Sequence, residues 1–268
     1  MTIAGWDCHA HLFGPYARYP LAAERSYTPP EAVDVRYATL LQRLGLAHGV
    51  LVHASAYGKD HTLLLDTLAL RPDWRGVVVV QPGDAQPLVG LHARGVRGAR
   101  FSHRSGAANF AGSASFEDLL ALAPQLADAG LHAELWTDCQ VLPDIAAELK
   151  ALPVPVVIDH MGGFDVAAGV DAPGFRTLLE LLATGKIWVK LCAYRNLLQS
   201  PDWQVGRVFQ QTMVAANPER LVWGSDWPHL RVTPEPDAAR LLALFEDWAG
   251  NEAVVQQVLH ANPETLYR

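Results

Sequence analysis

Apolar and polar positions along this chain follow two alternating periods. Short runs rich in β-branched and apolar residues predict strands at 5–13, 48–55, 76–81, 95–102, 132–138, 154–160, 187–194 and 221–226. Between them, 30–45, 116–130 and 173–185 carry apolar residues at helical spacing. The first two close on Gly45 and Gly130, as helix C-termini often do.

Strands that alternate with helices predict a parallel sheet with helical crossovers. Eight strands in roughly 220 residues predict closure into a distorted (β/α)8 TIM barrel, an α/β fold whose active site lies at the strand C-terminal ends. An open doubly wound sheet is the competing architecture, but no GxGxxG turn follows the first strand. No short-period repeat, low-complexity tract or linker interrupts the pattern, so residues 1–268 read as a single domain. Two segments resist the pattern. Residues 14–32, with four prolines, and the Gly- and Ser-rich stretch 102–115 are both too long for simple turns. Both leave strands at the face where barrel sites are built, so the first is expected to cover part of the site.

Composition narrows the function. Half of the 268 residues are hydrophobic and 18% are charged, which supplies an extensive core. A net charge of −7 argues against nucleic acid as a partner, since neutralising phosphates needs a surplus of Lys and Arg. No apolar stretch approaches the ~20 residues that span a bilayer, and the N-terminus lacks the basic and apolar segments of a signal peptide. Cys8, Cys139 and Cys192 are far apart and form no CxxC pair, which predicts neither a disulfide framework nor a thiolate zinc site. A cytoplasmic protein is expected. Oligomeric state is not legible.

The chemistry-bearing residues gather at the predicted strand ends. His9 and His11 close the first strand, with i,i+2 spacing that points both to one face. His53 and Ser55 close the second strand, and Arg100 and Ser102 the fourth, with Arg104 just beyond. The sixth ends in Asp159 and His160, the seventh in Arg195, the eighth in Asp226 and His229. Asp226 lies between two Trp in an apolar strand, where a carboxylate must be paired or functional. Alternation turns Asp159 away from His160, predicting a structural role for it, and turns Cys8 into the barrel wall. Arg100 and Arg195 suit either salt bridges or carboxylate binding, and His160 either catalysis or a backbone bond.

The stretches DCHAHLFGPYARYPLAAERSYTP (7–29), VIDHMGG (157–163) and LVWGSDWPH (221–229) resemble the amidohydrolase superfamily, in its 2-pyrone-4,6-dicarboxylate lactonase branch. VHASAYG and GVRGARFS are also similar, so the resemblance spans nearly the whole chain. It implies a TIM barrel that opens a cyclic ester without requiring a metal or other cofactor. Asp226 would be the general base that activates water, and His9, His11 and His160 would polarise the lactone carbonyl. Arg100, Arg104, Arg195, Tyr27 and Ser55 would hold substrate carboxylates and ring oxygens. General chemistry agrees with those roles: donors aimed at a carbonyl oxygen stabilise the charge it gains, and arginines bind carboxylates through paired hydrogen bonds.

The same His9, His11, His160 and Asp226 could instead hold one divalent ion such as zinc. In this superfamily a binuclear site needs a bridging Lys or Glu from a middle strand, and the fourth strand ends in Arg100, which cannot ligate. Glu134 on the fifth strand is the remaining candidate. The leading expectation is hydrolysis of a small carboxylated lactone, pyrone-dicarboxylate-like or derived from a sugar acid. Rivals are a lactone isomerase, a metal-dependent hydrolase or decarboxylase of the same superfamily, and a non-catalytic ligand-binding barrel. Retention of Asp226 and all three histidines favours the first.

Overall fold

Every predicted strand forms, most of them shorter than the apolar run that announced them. In the computed structural model, which describes residues 5–84, 88–106, 112–200 and 202–268, the strands are β1 (Gly5–Ala10), β2 (Leu46–Val52), β3 (Arg75–Val78) and β4 (Val96–His103). They continue with β5 (His132–Thr137), β6 (Val156–Ile158), β7 (Ile187–Leu191) and β8 (Leu221–Trp223). All neighbours pair in parallel, and their spatial order is their order in the chain. The seam between β8 and β1 is nearly closed by two backbone bonds, Asp226 N to His9 O at 2.8 Å and His11 N to Trp227 O at 2.8 Å. The fold is therefore a (β/α)8 barrel and not an open sheet.

The predicted helices appear as Asp34–Leu44, Phe116–Asp128 and Pro173–Ala183; further helices fill the other crossovers except that from β3 to β4, where the described residues carry only a 3-10 turn at His92–Arg94. Ser115 and Asp118 form a reciprocal capping box that starts the second of these, with bonds of 3.0 and 2.8 Å. Leu119, Leu122 and Leu126 then bury one stripe of it against the barrel. No described helix is long and apolar enough to cross a membrane.

Two apolar layers result. The larger packs helices onto the outside of the sheet, and its members include Ala10, Leu51 and Val78. The smaller fills the barrel's interior with alternate strand positions: Trp6, Cys8, Val50, Val52, Val77, Val157, Trp188 and Val222, joined by Tyr267 from the C-terminal helix. Cys8 thus lies inside the barrel and not in its wall, a correction explained below.

The excursion after β1 is tied at its base. Phe13 and Ala32 exchange backbone bonds of 2.9 and 2.7 Å, and the Tyr57 hydroxyl accepts the Gly14 N–H at 2.7 Å. Between these ties the segment folds over the barrel mouth far enough for Ser26 and Tyr27 to line the central cavity. Of the second unusual segment, residues 107–111 lie outside the described residues.

Candidate active site

Three breaks in strand regularity aim the polar side chains at the barrel axis. In β1, Asp7 pairs with Gly49 and Ala10 with Leu51, so three steps on one strand match two on its neighbour. This bulge turns both Cys8 and His9 inward, while Asp7 faces out to bond Ser225. Simple alternation had placed Cys8 in the wall because it carries no information about the extra residue. Gly224 makes the space: a Cβ there would stand 2.6 Å from the His9 Cβ.

The second break follows β6. Asp159 remains extended, but His160 takes φ 50° and Met161 φ 55°, both left-handed. Asp159 and His160 therefore both reach the interior. The expectation that Asp159 turns away is corrected: it is fully buried, its Oδ2 accepting from Arg100 Nε at 2.9 Å and its Oδ1 lying 3.4 Å from His9 Nδ1. The third break is Asp226 itself, at φ 58°.

These breaks build one polar cluster. His11 Nδ1 donates to Val52 O at 2.8 Å, which leaves its Nε2 with a lone pair when the ring is neutral. That Nε2 is 3.3 Å from His9 Nε2, and Asp226 Oδ1 stands 3.6 Å from the first and 3.7 Å from the second. Asp226 Oδ2 accepts from the Tyr194 hydroxyl at 2.7 Å and from Arg195 Nε. Beneath His9, Lys190 donates to Glu134 Oε1 at 2.6 Å, and its Nζ lies 3.2 Å from His9 Nδ1.

Charge balance sets the protonation of this cluster. Burial opposes ionisation of Asp226, but Arg195 and the neighbouring imidazoles outweigh it and hold the carboxyl well below its ordinary range. Asp159 is likewise held well below by Arg100 and Lys190 against burial. Lys190 is pushed above its ordinary value by Glu134 and Asp159 despite burial. Burial, reinforced by Lys190, lowers His9 to about 4, so its ring is neutral near pH 7. Burial also pushes His160 well below its ordinary value.

Above the cluster opens a cavity of about 340 Å³, at the small end of ligand sites. Its wall includes eight of the nine residues expected from the sequence: His11, His160, Asp226, Tyr27, Ser55, Arg100, Arg104 and Arg195. His9 is the exception. It is 0% exposed and has no surface on the cavity, because the bulge sinks it behind His11 and Asp226. The three arginines serve both of their expected uses. Arg100 pairs with Asp159, Arg104 with Asp138 and Arg195 with Asp226, while each also lines the cavity.

Sequence reading missed four participants. Trp136 lies beneath the guanidinium groups of Arg100 and Arg104, at 5.2 and 4.6 Å from ring centroid to carbon. Arg231 stacks on Tyr27 at 4.9 Å and also borders the cavity. Tyr194 and Lys190 complete the set, and Ser102, noted from the sequence at the end of the fourth strand, lines the cavity as well. Lys190 was findable by the criterion that picked out Asp226, a charge inside an apolar strand. Two histidines at strand ends prove structural: His53 bonds Gly58 O at 2.9 Å and His229 lies 3.1 Å from Ser225 O, both outside the cavity wall.

The residues were also tested as a metal site. The 3.3–3.7 Å spacings among His9 Nε2, His11 Nε2 and Asp226 Oδ1 approach the edge of a tetrahedron with bonds of about 2.0–2.1 Å, so this trio fits one ion by donor type and spacing. His160 does not join that trio. Among the described residues it groups with His9 and Asp159, or with Cys192 and Asp226, so the four expected ligands do not converge on one point. Glu134 is taken by Lys190 and bridges nothing. Charge weighs against an ion: Lys190, Arg100 and Arg195 already balance Glu134, Asp159 and Asp226 in a buried setting.

Comparison with known proteins agrees with the geometry. The family model described as amidohydrolase matches residues 6–268, and the chain belongs to that family. It is 32% identical to a 4-sulfomuconolactone hydrolase of Hydrogenophaga intermedia, over all of this chain and 89% of that one. It is also 32% identical to a 2-pyrone-4,6-dicarboxylate hydrolase of Comamonas testosteroni, over 97% of this chain and 89% of that one. A solved structure from Agrobacterium tumefaciens superposes with a TM-score of 0.87 at 27% identity, covering 99% of this chain and 96% of that one.

Proposed function

We propose that this amidohydrolase opens a small carboxylated lactone by hydrolysis, with Asp226 as base and no metal required. The observation that carries the reading is the asymmetry of Asp226. Its Oδ2 is anchored by Tyr194 and Arg195, while Oδ1 faces the histidines beneath a cavity lined with guanidinium groups. Relatives named as hydrolases of a sulfomuconolactone and a pyrone dicarboxylate support the substrate class.

In this reading Arg100, Arg104 and Arg195 draw in the substrate's carboxylates, with Tyr27 and Ser55 bordering the ring. His160 faces the scissile carbonyl as the donating imidazole, while the neutral His11 ring, whose one proton is held by Val52 O, borders the attacking water with its Nε2 lone pair. Water adds to the carbonyl carbon as its proton passes to Asp226 Oδ1, and negative charge builds on the carbonyl oxygen. Collapse of that adduct breaks the ring C–O bond, and the proton returns from Asp226 to the departing oxygen. The product is the ring-opened hydroxy or keto acid. A carboxylate held so far below its ordinary pKa is a weak base, so polarisation of the carbonyl supplies much of the acceleration. His9, sunk behind the cavity, acts through His11 and Asp226 and is a positioning residue.

The trio His9, His11 and Asp226 favours one alternative, a single divalent ion such as zinc, with His160 beside it. Such an ion would supply Lewis-acid polarisation of the carbonyl. The three buried thiols, none in a disulfide, support a reducing cytoplasm as the location.

A screen of carboxylated lactones, followed by acid release with and without chelator, tests the reading. Chelator-insensitive acid release that is lost in Asp226→Asn is expected. Isomerisation without acid release would replace hydrolysis by the isomerase alternative, and loss of turnover on chelation would install the ion.

A further inference from the structure

Among the described residues Lys190 is the one lysine or arginine sealed inside the barrel: it is 0% exposed and sits below the catalytic cluster, outside the cavity wall. An ammonium has three donors and no lone pair. Whatever faces it must accept. Glu134 Oε1 accepts at 2.6 Å, and the next contact, at 3.2 Å, is His9 Nδ1. A neutral imidazole carries its proton on one nitrogen only. With Nδ1 turned to a donor, the proton belongs on Nε2, where it points to His11 Nε2 at 3.3 Å and to Asp226 Oδ1 at 3.7 Å. His11 Nε2 is a lone pair in the neutral ring because His11 Nδ1 donates to Val52 O. The proton pattern is then self-consistent from Glu134 through Lys190 and His9 to His11.

The other tautomer also has a place waiting. Asp159 Oδ1 is buried, makes no hydrogen bond among the described residues, and lies 3.4 Å from His9 Nδ1. If Nδ1 carried the proton, Asp159 Oδ1 would take it, and His9 Nε2 would present a lone pair beside those of His11 and Asp226. That is the arrangement an ion needs. Lys190 Nζ is 3.5 Å from the same Asp159 oxygen, so it competes for the acceptor that the ion-binding tautomer requires.

We propose that Lys190, held by Glu134, is a positioning residue that fixes His9 as the Nε2–H tautomer and so keeps the His9–His11–Asp226 trio a proton-donating cluster and not a metal site. This deepens the proposed function and rests on its metal-free reading. Its tests read a tautomer and a metal affinity, so each can fail without the other.

The first test needs no substitution. In the ¹⁵N-labelled wild-type protein near neutral pH, with His9 assigned by loss of its signals in His9→Gln, its Nε2 should carry the proton and its Nδ1 should show the shift of an unprotonated acceptor. A proton on Nδ1 overturns the proposal. The second is zinc binding by equilibrium dialysis. Lys190→Met, close in length and uncharged, should bind zinc at least tenfold more tightly than wild type, with His9 moving its proton to Nδ1. Lys190→Arg, which keeps a donor and a charge, should stay within about threefold of wild type. Equal zinc affinity in a folded Lys190→Met protein and wild type overturns the proposal. If Lys190→Met does not fold, the wild-type tautomer alone decides.

Discussion

Gly224 and His9 occupy each other's space: a Cβ on Gly224 would meet the His9 Cβ at 2.6 Å and its backbone nitrogen at 2.9 Å. The inward bulge of β1 exists because β8 is hollow at that point. Gly224→Ala must push His9 and the bulge back. It should lower the melting temperature by the equivalent of about 1–3 kcal/mol, as overpacking does, and reduce kcat more than it raises KM. A variant with wild-type stability and turnover would show that the bulge accommodates a side chain.

Removing the base is the sharpest test of the chemistry. Asp226→Asn keeps an acceptor for Tyr194 and Arg195 but cannot take a proton. Lactone hydrolysis should fall by about 10²–10⁴-fold while the circular-dichroism spectrum stays that of wild type. Near-normal turnover would move the base elsewhere.

Arg104 should report on substrate charge. It is paired with Asp138 and stacked over Trp136, yet it keeps surface on the cavity. Arg104→Met should raise KM for carboxylated lactones by about ten- to a hundredfold, the worth of a charged hydrogen bond, and leave kcat within a small factor. Uncharged lactones should show no such change in steady-state kinetics.

Stability should fall on the acid side through His53. Burial is the main cause of its depressed pKa, about 3 against an ordinary 6.5, with His61 adding to it. Below pH 6.5 the unfolded chain takes up a proton that the folded chain refuses until about pH 3. The stabilisation is therefore complete above 6.5 and is lost as pH falls, by at most about 1.4 kcal/mol per pH unit from this group. Denaturant melts of His53→Gln should show a shallower decline over that range than wild type. Parallel curves would assign the acid sensitivity to other groups.

The barrel was legible because its strands are buried on both faces and bounded by turns, so each announces itself as an apolar run. The candidate residues were legible as charges and imidazoles at the ends of those runs. What alternation could not show is which way each points. Cys8, His9 and Asp159 all depend on a bulge or a left-handed residue, and these arise from contacts with a distant strand, as Gly224 shows for His9. Lys190 escaped for a different reason, and with it the true partner of Glu134, which the sequence offered only as a bridging ligand. Lys190 sits inside its strand and not at the end, and its meaning lies in a pairing with a residue 56 positions away.

The tie between Phe13 and Ala32 has a consequence for how such a protein is remodelled. The two ends of the excursion are stitched together at its base, and its interior is held by Ala56, Asp66 and Arg231, none of them in a barrel strand. A segment of different length or polarity spliced between those two residues is expected to leave His11 and Asp226 in position, since the bridge that closes its base is kept. Ligand preference and bond-breaking chemistry are thereby separable modules, and grafting at this seam is the natural place to begin re-tuning one without the other.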